Sequence, residues 1–401
     1  MLRSTFLKSS LLALATVVLA SCATSQPKAE SCPSIGQWLA PTDGATISHE
    51  NATQRLANHR IVLLGESHTN PSHHRWQINT IAALHAAKGP IALGFEMFPR
   101  SAQPVLDQWI RGELSENDFL KKVEWERIWR YDSDFYMPIF LYARQHRLPM
   151  IALNVDQKLI RSVRQNGWEN VPESDREGVS RPAPAMPQYV EMLSGIFKDH
   201  LPDEEKANID QQALSKFVQA QQTWDRAMAE AVQKTAQSHH IVAIAGAGHL
   251  TNGFGIPHQL KALGANDFAV AIPVDQDQPC DRITAQFADL IFGTDNFSSP
   301  AETFKPLLGV MLDDKGGTVR IDRVLKNSVA ENAGIKQDDQ VISAAGIGIK
   351  TNEELIEVVR RQAPGTWLPL TIERNGKNRN LVAKFPTLNE QLKASERQAH
   401  P

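Results

Sequence analysis

Five short apolar runs, each ending abruptly in polar residues, constrain the fold of this chain more than any other feature. Ile61-Val62-Leu63-Leu64 leads into Gly65-Glu66-Ser67-His68, and Ile91-Ala92-Leu93-Gly94-Phe95 leads into Glu96. Met150-Ile151-Ala152-Leu153 leads into Asn154 and Asp156, Ile241 to Ala245 leads into Gly246-Ala247-Gly248-His249, and Phe268 to Pro273 leads to Asp275. Continuous rather than alternating apolar runs suit strands covered on both faces, as in a parallel sheet. Between them the spacing predicts helices at Trp76–Ala87 and Phe135–His146, and Phe217, Ala220, Trp224, Ala227, Met228 and Ala231 make an apolar stripe at helical period. Strand–helix alternation implies an α/β domain, a mostly parallel sheet flanked by helices. Gly167 to Asp210, rich in Pro, Glu and Ser near its start, reads as a helical insertion over the sheet, a candidate lid. Ligands of open α/β sheets sit beyond the carboxyl ends of the strands, and Glu66, His68, Glu96, Asn154 and His249 all stand at such ends.

The 401 residues suffice for two or three domains. A net charge of −3 gives no basic field, so nucleic acid is not expected as a partner. The first residues read as a targeting signal: Arg3 and Lys8 precede an apolar run, Leu11 to Ala20, too short to span a bilayer. The run ends in Leu19-Ala20-Ser21-Cys22, which looks like a bacterial lipobox with Cys22 as the acylated mature N-terminus; an ordinary cleaved signal with a chance Cys is the other reading. Two or more acyl chains would anchor the protein firmly, and Ala23 after the Cys favours the outer membrane, on its periplasmic side or at the cell surface. In that oxidising compartment the two remaining cysteines, Cys32 and Cys280, are expected to pair; two free thiols are the alternative. The expected map is signal peptide 1–21, tether 22–45, first domain 46–296, linker 297–304, second domain 305–387 and tail 388–401.

Beyond Phe304 the pattern changes to short alternating strands with one helix at Glu353 to Arg361, and Asn375-Gly376 marks a hairpin turn. From Pro306 to Pro386 this resembles a PDZ domain, a small β-barrel-like fold, through Leu307-Leu308-Gly309-Val310 as the carboxylate loop and Ala333-Gly334-Ile335. Asp338-Asp339 stands where the family usually has Gly-Asp, and Ala345-Gly346 where it often has Asn-Gly; the loop also lacks a first Gly. The resemblance implies a C-terminal peptide or protein ligand added as a strand, with Leu308 and Gly309 in the loop and Val310, Leu312 and Leu355 lining an apolar pocket. Plain core is the other reading of those three.

The first domain's motifs, Gly65-Glu66-Ser67-His68, Gly94-Phe95-Glu96-Met97, Pro149 to Asn154, Ala245 to Leu250 and Ala288-Asp289-Leu290, resemble the ChaN family of haem-binding, iron-regulated lipoproteins over roughly Ile61 to Thr294. Its superfamily includes the Tiki metalloproteases, TraB-type proteins and erythromycin esterases, which share two Gly-x-x-His motifs, here Gly65 to His68 and Gly246 to His249. The resemblance implies haem held through a Tyr hydroxyl and a homodimer enclosing a pair of haems. Tyr136 is the first candidate ligand and Tyr131 the second, in WERIWRYDSDFYMPIFLYAR; packing of a helix start is the other reading. His73 and His74 at the pocket rim could add an axial or propionate contact, and Arg100 or Arg75 a propionate contact. Glu66, His68, Glu96 and His249 carry a second hypothesis, a periplasmic hydrolase. In it His68 and His249 hold a divalent metal such as zinc, or Glu66 and His68 act as a metal-free general base. A third hypothesis makes the PDZ domain the functional end and the first domain its anchor.

Overall fold

The computed structural model describes residues 32–202, 206, 208–276, 280, 283–295, 306–313, 318–387 and 390; the signal segment, Cys22 and the linker lie outside them. The chain divides into two units, Met1–Phe297 and Ser298–Pro401.

The first unit begins where a tether was expected. Trp38–Ala40 (β1) and Ala45–Ile47 (β2) pair antiparallel, and β1 is fully buried. His49–Ala57 (α1) follows, capped by Ser48. Then come Ile61–Glu66 (β3), Pro71–Lys88 (α2) and Ile91–Pro99 (β4). Helix α2 starts earlier than the apolar spacing indicates because Asn70 caps it and Pro71 occupies its first position, where a missing N–H costs nothing. Three short helices, Gln103–Ile110 (α3), Glu116–Lys122 (α4) and Trp125–Ile128 (α5), precede Ser133–Gln145 (α6), capped by Asp132. Pro138 lies inside α6. Met150–Asn154 (β5) and Gln157–Asn166 (α7) lead into the insertion, whose described residues include the α-helix Pro187–Asp199 (α8), followed by the long Gln211–Ala236 (α9). His240–Gly246 (β6), Ile256–Ala262 (α10), Phe268–Asp275 (β7) and Leu290–Thr294 (β8) complete the unit.

The eight strands lie in the order β2-β1-β8-β7-β3-β6-β4-β5. β3 to β8 are mutually parallel, and β1 and β2 close one edge antiparallel. Both faces are covered. Val62, Leu64, Leu93 and Phe95 pack with α2, α3 and α6, whereas Ile61, Leu63, Ala92 and Ile241 pack with α9 and α10. Helix α8 does not cover the sheet directly; Tyr189, Leu193 and Phe197 pack on Leu214, Phe217 and Val218 of α9. A disulfide joins Cys32 to Cys280, 248 positions apart, with Cα atoms 5.3 Å apart.

The second unit has Val310–Leu312 (β9) paired with Ile321–Val324 (β10). Val329–Asn332 (α11), Gln340–Ala344 (β11), Ile347–Gly348 (β12), Asn352–Arg360 (α12), Trp367–Arg374 (β13) and Lys377–Lys384 (β14) follow. The last four strands form a sheet in the order β12-β11-β13-β14. Asp339 is buried and anchors this unit through a two-pronged ion pair with Arg374, at 2.6 and 2.7 Å.

Candidate functional site

The sheet brings the two carboxylates together from opposite faces. Side chains alternate along a strand, so Glu66 continues the Val62–Leu64 row toward α2 and α6, and Glu96 continues the Ala92 row toward α9. β6 lies between β3 and β4, and its last residue, Gly246, is registered against Glu66.

Glu66 is buried among three partners: the Tyr136 hydroxyl donates to Oε1 at 2.9 Å, His68 Nδ1 lies 2.6 Å from the same oxygen, and His74 Nδ1 stands 2.9 Å from Oε2. Burial by itself would raise its pKa, but the bonds from His68 and His74 overcome it and hold the carboxyl at about 2. Glu96 Oε2 accepts the Gly246 N–H at 2.6 Å, and its Oε1 is 3.5 Å from His249 Nε2. His249 Nδ1 is 2.6 Å from Asp225 Oδ1, and Asp225 Oδ2 accepts the Tyr189 hydroxyl at 2.8 Å. Burial opposes a charged His249, yet the Asp225 and Glu96 carboxylates prevail and lift it to about 9.

His68 bridges the two faces. Burial pulls its pKa down, but the Glu66 bond and the charge of Glu96 raise it on balance. A Cβ on Gly246 would stand 3.0 Å from His68 Cε1 and 3.6 Å from Glu96 Oε2, so the bare glycine gives the ring its place over the end of β6. Gly255 is needed likewise: at φ +54° its Cβ would lie 2.4 Å from the His249 carbonyl oxygen.

Above these groups opens a pocket of about 290 Å³ whose lining includes His68, Glu96 and His249 together with Trp129, Tyr131 and Trp224. This is the lower edge of the ~300–1,000 Å³ typical of small-molecule sites. The Tyr131 ring is 4.9 Å from the His68 ring and 5.4 Å from Trp129, with the residue 37% exposed. The buried indole N–H of Trp224 has no hydrogen-bond partner among the described residues.

Three expectations need correction, and Leu355 takes the second of its two readings. Tyr136 is sealed at 0% exposure with its hydroxyl spent on Glu66, and burial beside that carboxylate raises its pKa far above the usual phenol value, so it is an internal donor rather than an open ligand. His73 and His74 are not at the rim: His73 binds the Ser67 N–H at 2.9 Å and Asp275 at 3.1 Å, and His74 is held by Glu66. Arg100 donates to the carbonyls of Glu177 (2.8 Å) and Ala227 (3.1 Å), clamping the insertion onto α9. Leu355, 1% exposed, is core of the second unit. Arg75 donates to Ser72 on the exposed face of α2. Among the described residues no group of three or more His, Cys, Asp or Glu side chains is placed to hold a metal ion. Asp225, Tyr189 and Trp224 were missed; the available signal was a carboxylate, Asp225, inside the apolar stripe of α9.

In the second unit Gly309 has φ +80°, and a Cβ there would meet Ser328 Cβ at 2.3 Å. Leu308 is buried; its carbonyl accepts the Ala330 N–H and that of Gly309 accepts the Leu325 N–H. β9 pairs only with β10, so its second edge carries no strand among the described residues, and Val310 and Leu312 are half-buried. Asn352 Nδ2 donates to the Asp313 carbonyl at 3.1 Å, which sets the start of α12 beside the end of β9; Ile356, one turn on, is exposed.

Residues 52–260 match the family model described as haem-binding uptake, Tiki superfamily, ChaN, and residues 306–384 match that of the PDZ domain. A solved structure of ChaN of Campylobacter jejuni, described as showing cofacial haem binding, matches at 18% identity with a TM-score of 0.52, over 64% of this chain and 95% of that one. The HtrA3 PDZ domain bound to a phage-derived ligand matches at 18% identity over 20% of this chain and 82% of its own, with a TM-score of 0.18. The serine endoprotease from Yersinia pestis matches at 19% over 21% and 29%, with a TM-score of 0.19. No curated protein matches this chain.

Proposed function

The chain belongs to the ChaN family of haem-binding uptake proteins in the Tiki superfamily, with a PDZ domain after it, and from that premise we propose that it takes haem as cargo in the pocket above Glu66 and Glu96 and docks a protein partner through the PDZ groove. The observation that carries this reading is the pocket itself, where aromatic walls from Trp129 and Trp224 flank Tyr131 over a floor of His68 and His249. Aromatic and apolar walls suit a porphyrin face. A phenol oxygen suits ferric iron, and Tyr131 is the phenol of this pocket that reaches solvent. Because the pocket is small for a porphyrin, a second copy closing over the open side belongs to the proposal.

The same reading places the protein at the outer membrane, anchored through acylated Cys22, in iron acquisition; its support is the lipobox-like Leu19-Ala20-Ser21-Cys22 and the family's description as haem-binding uptake. The PDZ partner is a peptide C-terminus laid along the free edge of β9. Titrating the full chain with hemin tests the cargo assignment: a saturable Soret shift is expected, weakened about tenfold, or ~1.4 kcal/mol, when Trp129 and Trp224 are both changed to Ala. No Soret shift at micromolar hemin would overturn it.

A hydrolase is the second reading. What favours it is that Glu66 and Asp225 each grip a His Nδ1, leaving the opposite ring nitrogens toward Glu96 and the pocket, an arrangement in which an oriented, charged imidazole can serve as a general acid. Ester or peptide turnover lost in His249→Ala would establish it.

A further inference from the structure

Away from the pocket, three coordinating side chains meet where two helices end. His85 lies in the last turn of α2, Tyr142 in the last turn of α6, and His146 is the cap residue of α6. The Tyr142 hydroxyl is 2.9 Å from His85 Nδ1. The His85 and His146 rings are 5.1 Å apart, and the His146 and Tyr142 rings 4.3 Å. We propose that His85, Tyr142 and His146 form a surface site for a late first-row divalent ion of the Cu(II), Ni(II), Zn(II) class.

Imidazole is the side chain such ions prefer. Metal–nitrogen bonds of about 2.0–2.1 Å put two coordinating nitrogens no more than ~4.2 Å apart, a spacing that ring centroids 5.1 Å apart permit. The ring of His146 has no hydrogen-bond partner among the described residues, and the 2.9 Å between His85 Nδ1 and the Tyr142 oxygen suits two ligands of one ion, which would take the place of the bond between them. Tyr142 and His146 are one helical turn apart and so share a face of α6. The carbonyl ends of α2 and α6 both point here, and helix C-termini favour cations. The neighbouring cation Arg144 is turned away, stacked 3.9 Å over Trp109 and donating to the Leu114 carbonyl. The site uses only two side chains of the His, Cys, Asp and Glu class, with the Tyr142 oxygen and water completing it.

The consequence is mechanical. α2 carries His74 and α6 carries Tyr136, two of the groups that hold Glu66. An ion bridging His85 to Tyr142 and His146 clips the far ends of those helices together.

The test uses the full chain with Cu(II) alone, followed by calorimetry and by electron paramagnetic resonance, which reports nitrogen ligands. A stoichiometric site with two nitrogen ligands is expected, and Tm should rise with Cu(II). His146→Ala, at an exposed position, should weaken binding by about tenfold or more, and His85→Ala,His146→Ala should abolish it while leaving the circular dichroism spectrum unchanged. Binding that survives the double substitution, or that is lost instead in His249→Ala, would overturn the assignment.

Discussion

Glu66 shows how one side chain ties sequence to site. A buried carboxylate is tolerated only when its partners offset the lost hydration, and His68, His74 and Tyr136 come from three different segments to do so. Removing it strands the buried His74 and leaves His68, at the pocket floor, without its carboxylate; Glu66→Ala is expected to cost about 3–5 kcal/mol in urea unfolding, and Glu66→Gln less. His249 sets a pH signature. Its folded pKa, about 9, lies above the ordinary value of 6.5, so the charged ring stabilises the fold fully below pH 6.5, and that contribution fades as pH rises through about 9. Asp225→Asn should flatten stability across that window in denaturant titrations at stepped pH. Glu66, His68, Glu96 and His249 were legible because each ends an apolar run. The inward turn of His73 and His74 was not, since helix phase depends on where Asn70 starts α2, and adjacent residues give no phase of their own.

At the scale of elements, the five apolar runs became β3 to β7 because a strand buried on both faces must be apolar throughout. β1 and β2 escaped notice: three residues each are too few to show a period, and they exist because β1 pairs with β8. Departures from the PDZ pattern turn out to be local strain. Asp338 has φ +67° and Ala345 φ +52°, the left-handed region that favours glycine. Ala345→Gly relieves a left-handed cost of roughly 1–2 kcal/mol for a residue with a side chain and is therefore expected to stabilise the second unit, read as a higher Tm of its transition; a lower Tm would show that the Ala side chain is needed at the β11–β12 turn.

For the whole molecule, the disulfide from Cys32 to Cys280 fastens the start of the first unit to its far end, closing a loop of 248 positions. Chain-entropy arguments assign such a closure about 2–5 kcal/mol, so reducing it, or Cys32→Ser, should lower the Tm of the first unit. The sheet order explains why the pocket stands where it does: β6, inserted between β3 and β4, gathers residues from both faces at one edge. The ends of the strands can be read from where the apolar runs stop, but their order cannot, and only the order turns separated carboxylates into one site. The most direct measurement is the spectrum of the ferric haem complex in three forms of the full chain. Tyr131→Phe should lose the phenolate charge-transfer band and bind hemin about tenfold more weakly, ~1.4 kcal/mol, while Tyr136→Phe keeps both. A spectrum unchanged in Tyr131→Phe, or lost only in Tyr136→Phe, would contradict the placement of haem in this pocket.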